Sequence, residues 1–188
     1  MGFADELKKR ADRAAEAARR TAEEARRAVR GVLEYRERPL TETEISLAKK
    51  VFGETLPYGA IYLSNALGLQ ERAYTVPHPA KAASYVIHIG VDGFTDASAA
   101  ALDRTLIHEL THVWQGVHRA HRLDYIFDSL HKQAQLGSAA YDYVAGADWS
   151  SYGAEQQAEI VEDWYRLGMN EADPRFRYIR DNVRAGID

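Results

Sequence analysis

Residues 102–118 read Leu-Asp-Arg-Thr-Leu-Ile-His-Glu-Leu-Thr-His-Val-Trp-Gln-Gly-Val-His. Leu102, Leu106, Leu110, Val113 and Val117 recur at helical spacing and lay an apolar stripe along one side. No proline interrupts the stretch, and Asp96 or Ser98 stands upstream as an N-cap, so one long helix is expected to run to His118. Inside it His108-Glu109-Leu110-Thr111-His112 forms the pattern H-E-x-x-H. Residues at i and i+4 lie one above the other on a helix, so both imidazoles aim at one point, as two ligands of a metal must. Glu109 flanks that point without needing to bind there, and can act as the general base on a metal-activated water. The sequence has no cysteine, so any metal must be held by His, Asp or Glu.

Working outward, the residues before this helix suggest a small sheet. Ala60–Ser64, Ala73–Val76 and Ser84–Gly90 are short runs rich in Ile, Val and Tyr, separated by turns containing Gly and Pro. Upstream of them, Thr41 with Glu44 spells a capping box that opens a helix to Phe52, with Gly53 as its stop. After the H-E-x-x-H helix come a second helical stretch, Asp124–Gln135, and a looser aromatic connection, Gly137–Ser150. A further helix is expected from Gly153 to Leu167, and a last one over Pro174–Arg184 with Asp173 as N-cap. A helix, a small sheet and then more helices make an α+β domain.

The chain has 188 residues and a net charge of −4, unevenly spread. Residues 1–38 carry 11 Lys/Arg and 8 Asp/Glu, and the remainder carries the acidic excess. In residues 4–32, Ala11, Ala15, Ala18, Ala22, Ala25, Val29 and Val32 follow a heptad seam. Alanine buries little area, so this reads first as a solvated helical arm or linker, and second as an arm for self-association or docking, rather than as a stable coiled coil. The division expected is an arm at 1–38 and a compact domain at 39–188. No apolar run approaches the ~20 residues of a membrane span. The first residues, MGFADELKKR, lack the apolar core of a secretory signal, which leaves a cytoplasmic location or export without such a signal. Mild acidity argues against nucleic acid as a partner. Phosphate-binding glycine loops and G-x-S-x-G are absent.

Two histidines hold zinc poorly, so a third ligand is needed. The helix after Tyr152 offers Glu155, Glu159 and Asp163, each one turn from the next. If Glu155 is the ligand, Glu159 is placed to hydrogen-bond a ligand histidine; if Glu159 is the ligand, Asp163 takes that place. His118 stands six residues past His112, but reaching back would need a sharp turn at Gly116.

His108–Gln115 followed by Glu155-Gln-Gln-Ala158-Glu159 resembles the gluzincin branch of zinc metallopeptidases, in which a glutamate on a later helix completes the metal site. The resemblance spans Ser84–Trp164 and rests on these two motifs. It implies a zincin-like fold and peptide-bond hydrolysis, with Zn²⁺ on His108, His112 and Glu155 and with Glu109 as general base. Glu159 is implied as the neighbour of a ligand histidine or as the alternative ligand. It further implies a peptide or protein substrate paired along an edge strand, for which Ser84–Gly90 lies in the right place. A Tyr or His supplies the oxyanion donor in this group; the candidates here are Tyr152, named first, with Tyr141, Tyr143, His131 and Tyr165, and the sequence does not choose among them. The large second lobe of bigger members is missing. The alternative is a non-catalytic zinc-containing module that recruits a partner through the N-terminal helix.

Overall fold

A computed structural model describes Glu16, Arg19 and residues 34–68, 71–119 and 141–188. The chain divides into two units, Met1–Arg36 and Glu37–Asp188. In the first, Glu16 and Arg19 are helical. Of the arm expected at 1–38, residues 34–38 are also described, and Glu37 and Arg38 fall in the second unit; its other residues, the Asp124–Gln135 helix and His131 lie outside the described residues.

The second unit opens with strand β1 (Glu37–Pro39) and helix α1 (Glu42–Phe52). The capping box forms as expected: Thr41 Oγ1 accepts from the Glu44 amide, and the Glu44 carboxylate accepts from the Thr41 amide. Gly53, at φ 59°, ends the helix. Glu44 does more than cap. Its carboxylate is fully buried, accepts two hydrogen bonds from the Arg38 guanidinium at 2.7 and 2.8 Å, and accepts the Ala97 amide at 3.1 Å. One acid thus ties together β1, α1 and the turn before the H-E-x-x-H helix.

Strands β2 (Ile61–Ser64), β3 (Tyr74–Pro77) and β4 (Tyr85–His88) match the three expected runs to within two residues at each end. Sheet order is β1-β2-β4-β3, with β2 parallel to β4 and both outer pairs antiparallel. β4 is therefore central, and every residue in it is buried. This corrects the expectation that Ser84–Gly90 supplies an edge: the outer strand on that side is β3. Val, Ile and Tyr without alternation mark a strand covered on both faces. β1 escapes sequence reading because it is three residues long and ends in Pro39, which an outer strand tolerates.

Helix α2 (Gly90–Asp96) follows β4 at once, and α3 (Leu102–His118) carries the motif. The helix expected to start at Asp96 or Ser98 starts later, at Leu102, and α2 ahead of it was not expected. Asp96 Oδ1 accepts from both the amide and the hydroxyl of Ser98, a local turn that competes with helix, and Ala101 sits at φ 79° before α3 starts. Gly90 makes the strand-to-helix corner at φ 79°, where a Cβ would lie 3.2 Å from Leu67.

Helix α4 (Ala154–Arg166) packs lengthwise on α3. The C-terminal segment is one α turn, Phe176–Tyr178, followed by a wider turn, Ile179–Val183, rather than a regular helix. The Arg184 amide reaches back to the Ile179 carbonyl, and at the end of the segment Trp114 Nε1 and Thr55 Oγ1 both donate to the Val183 carbonyl. The core joins Phe52, Ile61, Leu63, Ile87, Leu106, Leu110, Trp114 and Trp164, all buried.

Arg38→Ala should leave the Glu44 carboxylate buried without its cation and lower unfolding stability by about 3 kcal/mol in a urea titration. Burial opposes ionisation of Glu44, but the Arg38 guanidinium and the Thr41 amide outweigh it and hold the carboxyl below its ordinary range. The stabilisation is therefore present above about pH 4.5 and is lost as pH falls through the lowered value.

Candidate metal centre

α3 turns His108 and His112 toward the start of α4, where Glu155 occupies the first turn. His108 Nε2 lies 3.3 Å and His112 Nε2 lies 3.6 Å from the same Glu155 oxygen, Oε2. The two rings stand edge to face, 5.1 Å between centroids. His108, His112 and Glu155 thus converge as a set of three ligand atoms within 4.8 Å of one another. His112 and Glu155 are buried and His108 nearly so. Two imidazole nitrogens and one carboxylate oxygen suit a borderline-soft cation of the zinc type.

The rear of each ring is anchored. His108 Nδ1 donates to Glu162 Oε2 at 3.1 Å, and His112 Nδ1 donates to Gln115 Oε1 at 2.8 Å. A carboxylate and an amide oxygen only accept, so each ring carries its proton on Nδ1 and presents Nε2 to the shared point. Gln115 is held in turn: its amide NH₂ donates to the Ala154 carbonyl and to Gln157 Oε1, both at 2.9 Å.

The electrostatics reflect this crowding. Burial disfavours a charged His108 ring, but the carboxylates of Glu155 and Glu162, with Glu109 nearby, outweigh it and push its pKa up to about 10. Burial alone would raise Glu155, yet His108 and His112 hold it far below the ordinary carboxylate range. Without a metal, a proton on His108 supplies the positive charge the site requires.

Glu159 stands with Glu162 near His108 Nδ1, but Glu162 makes the hydrogen bond. Burial and the like charges of Glu162 and Asp163 raise the pKa of Glu159. The Tyr152 hydroxyl is engaged by the Val144 carbonyl at 2.7 Å, the Ala147 amide and the Tyr178 hydroxyl, none of which belongs to the metal cluster. Tyr143 and Tyr165 hydrogen-bond Asp163 and Asp103. The tyrosine beside the cluster is Tyr141, its ring 6.1 Å from His108. Burial and Glu155 push its pKa up to about 12 against a hydrogen bond from Arg72. His118 caps the Thr55 carbonyl instead of turning back toward His112. His88 is buried, with Nδ1 2.6 Å from Ser64 Oγ and its ring stacked on Tyr74.

No protein-family model matches the sequence. A solved structure, the effector domain of Pseudomonas aeruginosa VgrG2b, is similar with a TM-score of 0.57 and 31% identity, over 75% of this chain and 81% of that one. The chain belongs to the VgrG2b effector-domain family. The type VI secretion system spike protein VgrG2b of the same organism is 32% identical over 163 residues. That match takes in 79% of this chain and only 15% of the spike protein.

In this member of the VgrG2b effector-domain family, three partners of the motif residues were not foreseen from sequence. Gln115 and Glu162 were findable: each lies on the helical face of a ligand residue, at His112+3 and Glu155+7. The third, Thr75, lies 34 residues from Glu109, and its hydroxyl donates to Glu109 Oε2 at 2.7 Å. Nothing in the local sequence of β3 announces that contact.

Zinc uptake by the metal-free protein at pH 7.5 should release about one proton, because His108 is protonated there and the metal needs its lone pair. Calorimetry in buffers of different ionisation enthalpy reads the proton directly. Affinity should rise with pH until His108 gives up its proton, and level off only above about pH 10.

Proposed function

We propose that this protein is a zinc-dependent metallopeptidase of gluzincin type, a hydrolase of peptide or protein substrates. The observation that carries the reading is the convergence of His108 Nε2 and His112 Nε2 on Glu155 Oε2, with Glu109 next in sequence to the first ligand. A structural zinc site has no use for that carboxylate. Residues 39–188, together with Glu37 and Arg38 of β1, would form the zincin-like domain, and the residues before them an arm for docking or self-association.

His108, His112 and Glu155 would hold the zinc. Bound there, zinc supplies Lewis-acid polarisation of the scissile carbonyl and lowers the pKa of water toward ~7. Glu109 takes the proton from the attacking water and returns it to the departing amine nitrogen. Glu162 and Gln115 keep both imidazoles in the ligating tautomer. Tyr141 is better placed than Tyr152 to donate to the oxyanion, since its ring lies beside His108 while the Tyr152 hydroxyl is occupied elsewhere. Glu159 then serves as neighbour to Glu162 rather than as a ligand.

The name of the solved relative supports a role as an effector, and that of the longer relative supports delivery with a type VI secretion spike. Among the described residues no helix is long and apolar enough to cross a membrane.

Glu109→Gln should retain one zinc per chain by elemental analysis, yet lower kcat by about 10³-fold on a peptide selected from a mixed-sequence library. Wild-type turnover in that variant would overturn the mechanism. Glu155→Gln should instead lose zinc.

A further inference from the structure

The geometry points to Thr75, on the sheet, as the residue that positions the Glu109 carboxylate for its proton transfers. This rests on the peptidase reading of Glu109 above. A glutamate has three side-chain torsions, and nothing in α3 itself fixes where its carboxylate points. Among the described residues the Thr75 hydroxyl is the side-chain donor to that carboxylate, at 2.7 Å from Oε2. The same Oγ1 lies 3.1 Å from the Glu109 main-chain carbonyl. Head and root of the glutamate therefore meet one hydroxyl, which leaves the side chain folded back along its helix.

Thr75 is suited to be the fixed partner. It is buried, in the middle of β3, with Ile87 of the central strand β4 opposite it. As a β-branched residue it is stiff at χ1, so its hydroxyl has little freedom once the backbone is set. β3 also packs on α3. The position of the base is thus dictated by the sheet, 34 residues away in sequence, and not by the motif helix. With Oε2 committed to the hydroxyl, Oε1 is the oxygen that takes the proton from water and passes it to the amine nitrogen as the C–N bond breaks. Thr75 acts only through Glu109 and is a positioning residue.

Thr75→Val removes the hydroxyl and keeps the shape, and Thr75→Ser keeps the hydroxyl and removes the methyl. On a library-selected peptide, with zinc content and circular dichroism measured on every sample, Thr75→Val should lower kcat by about 10–100-fold. Its KM should stay within about twofold and its zinc at one per chain. Thr75→Ser should recover kcat to within about threefold of wild type, which a purely structural role would not require. Should Thr75→Val fail to fold, Thr75→Ala carries the same expectation. Wild-type kcat in the hydroxyl-free variant, or an equal loss in Thr75→Ser, overturns the inference. Full turnover by Glu109→Gln, measured alongside, would instead overturn the peptidase reading beneath it.

Discussion

Glu155 is a carboxylate taken almost entirely out of water, 2% exposed, with an imidazole on either side of one of its oxygens. A buried charge of this kind is tolerated only where opposite charge and hydrogen bonds replace the lost hydration. Much of the local architecture answers that demand. α4 must begin where α3 presents its two histidines, so the helices pack lengthwise and the stretch between Trp149 and Gly153 must deliver Ala154 to the right height. The histidines must in turn be held from behind, which draws Glu162 and Gln115 into the interface. A divalent cation or a proton satisfies the same arrangement, and this is why the cluster can be built into the fold before any metal arrives.

The sheet contributes through its order. β4 is central and β3 lies outside it, and of the two it is the antiparallel outer strand that packs more extensively on the motif helix. β4 delivers the chain to α2 through the Gly90 corner, and β3 delivers Thr75 to Glu109. A second buried carboxylate, Glu44, fixes β1 and α1 against the turn that precedes α3. Glu109 and the His-His-Glu cluster thus sit on elements cross-tied by hydrogen bonds to buried carboxylates, a support that restricts where these side chains can point.

Much of this was legible in the sequence, and the gaps have physical causes. The H-E-x-x-H spacing places two side chains on one helical face, a purely local rule, so the histidine pair could be read directly. The same rule applied to a second helix left Glu155 and Glu159 as alternatives, and only the gluzincin resemblance singled out Glu155. The Thr41–Glu44 capping box was local too and formed as expected. What failed depended on long-range pairing. The centre or edge position of Ser84–Gly90 is decided by which strands flank it, and composition alone does not say. The late start of α3 arises because Asp96 and Ser98 can cap a turn as readily as a helix. Eleven tyrosines could not be ranked, since proximity to His108 depends on the path of the chain near Tyr141.

The glutamine pair behind His112 has a direction as well as a strength. The Trp149 carbonyl, in a turn just ahead of α4, can only accept, and it takes a hydrogen bond from the Gln157 amide nitrogen at 3.2 Å. That turns the Gln157 oxygen toward Gln115, whose nitrogen must then face it and whose oxygen must face His112. Neither amide can flip alone without setting like against like. A main-chain carbonyl that cannot rotate thereby fixes, two side chains away, which nitrogen of an imidazole keeps its proton and which offers a lone pair. The polarity of the metal pocket is written into a turn that never touches it.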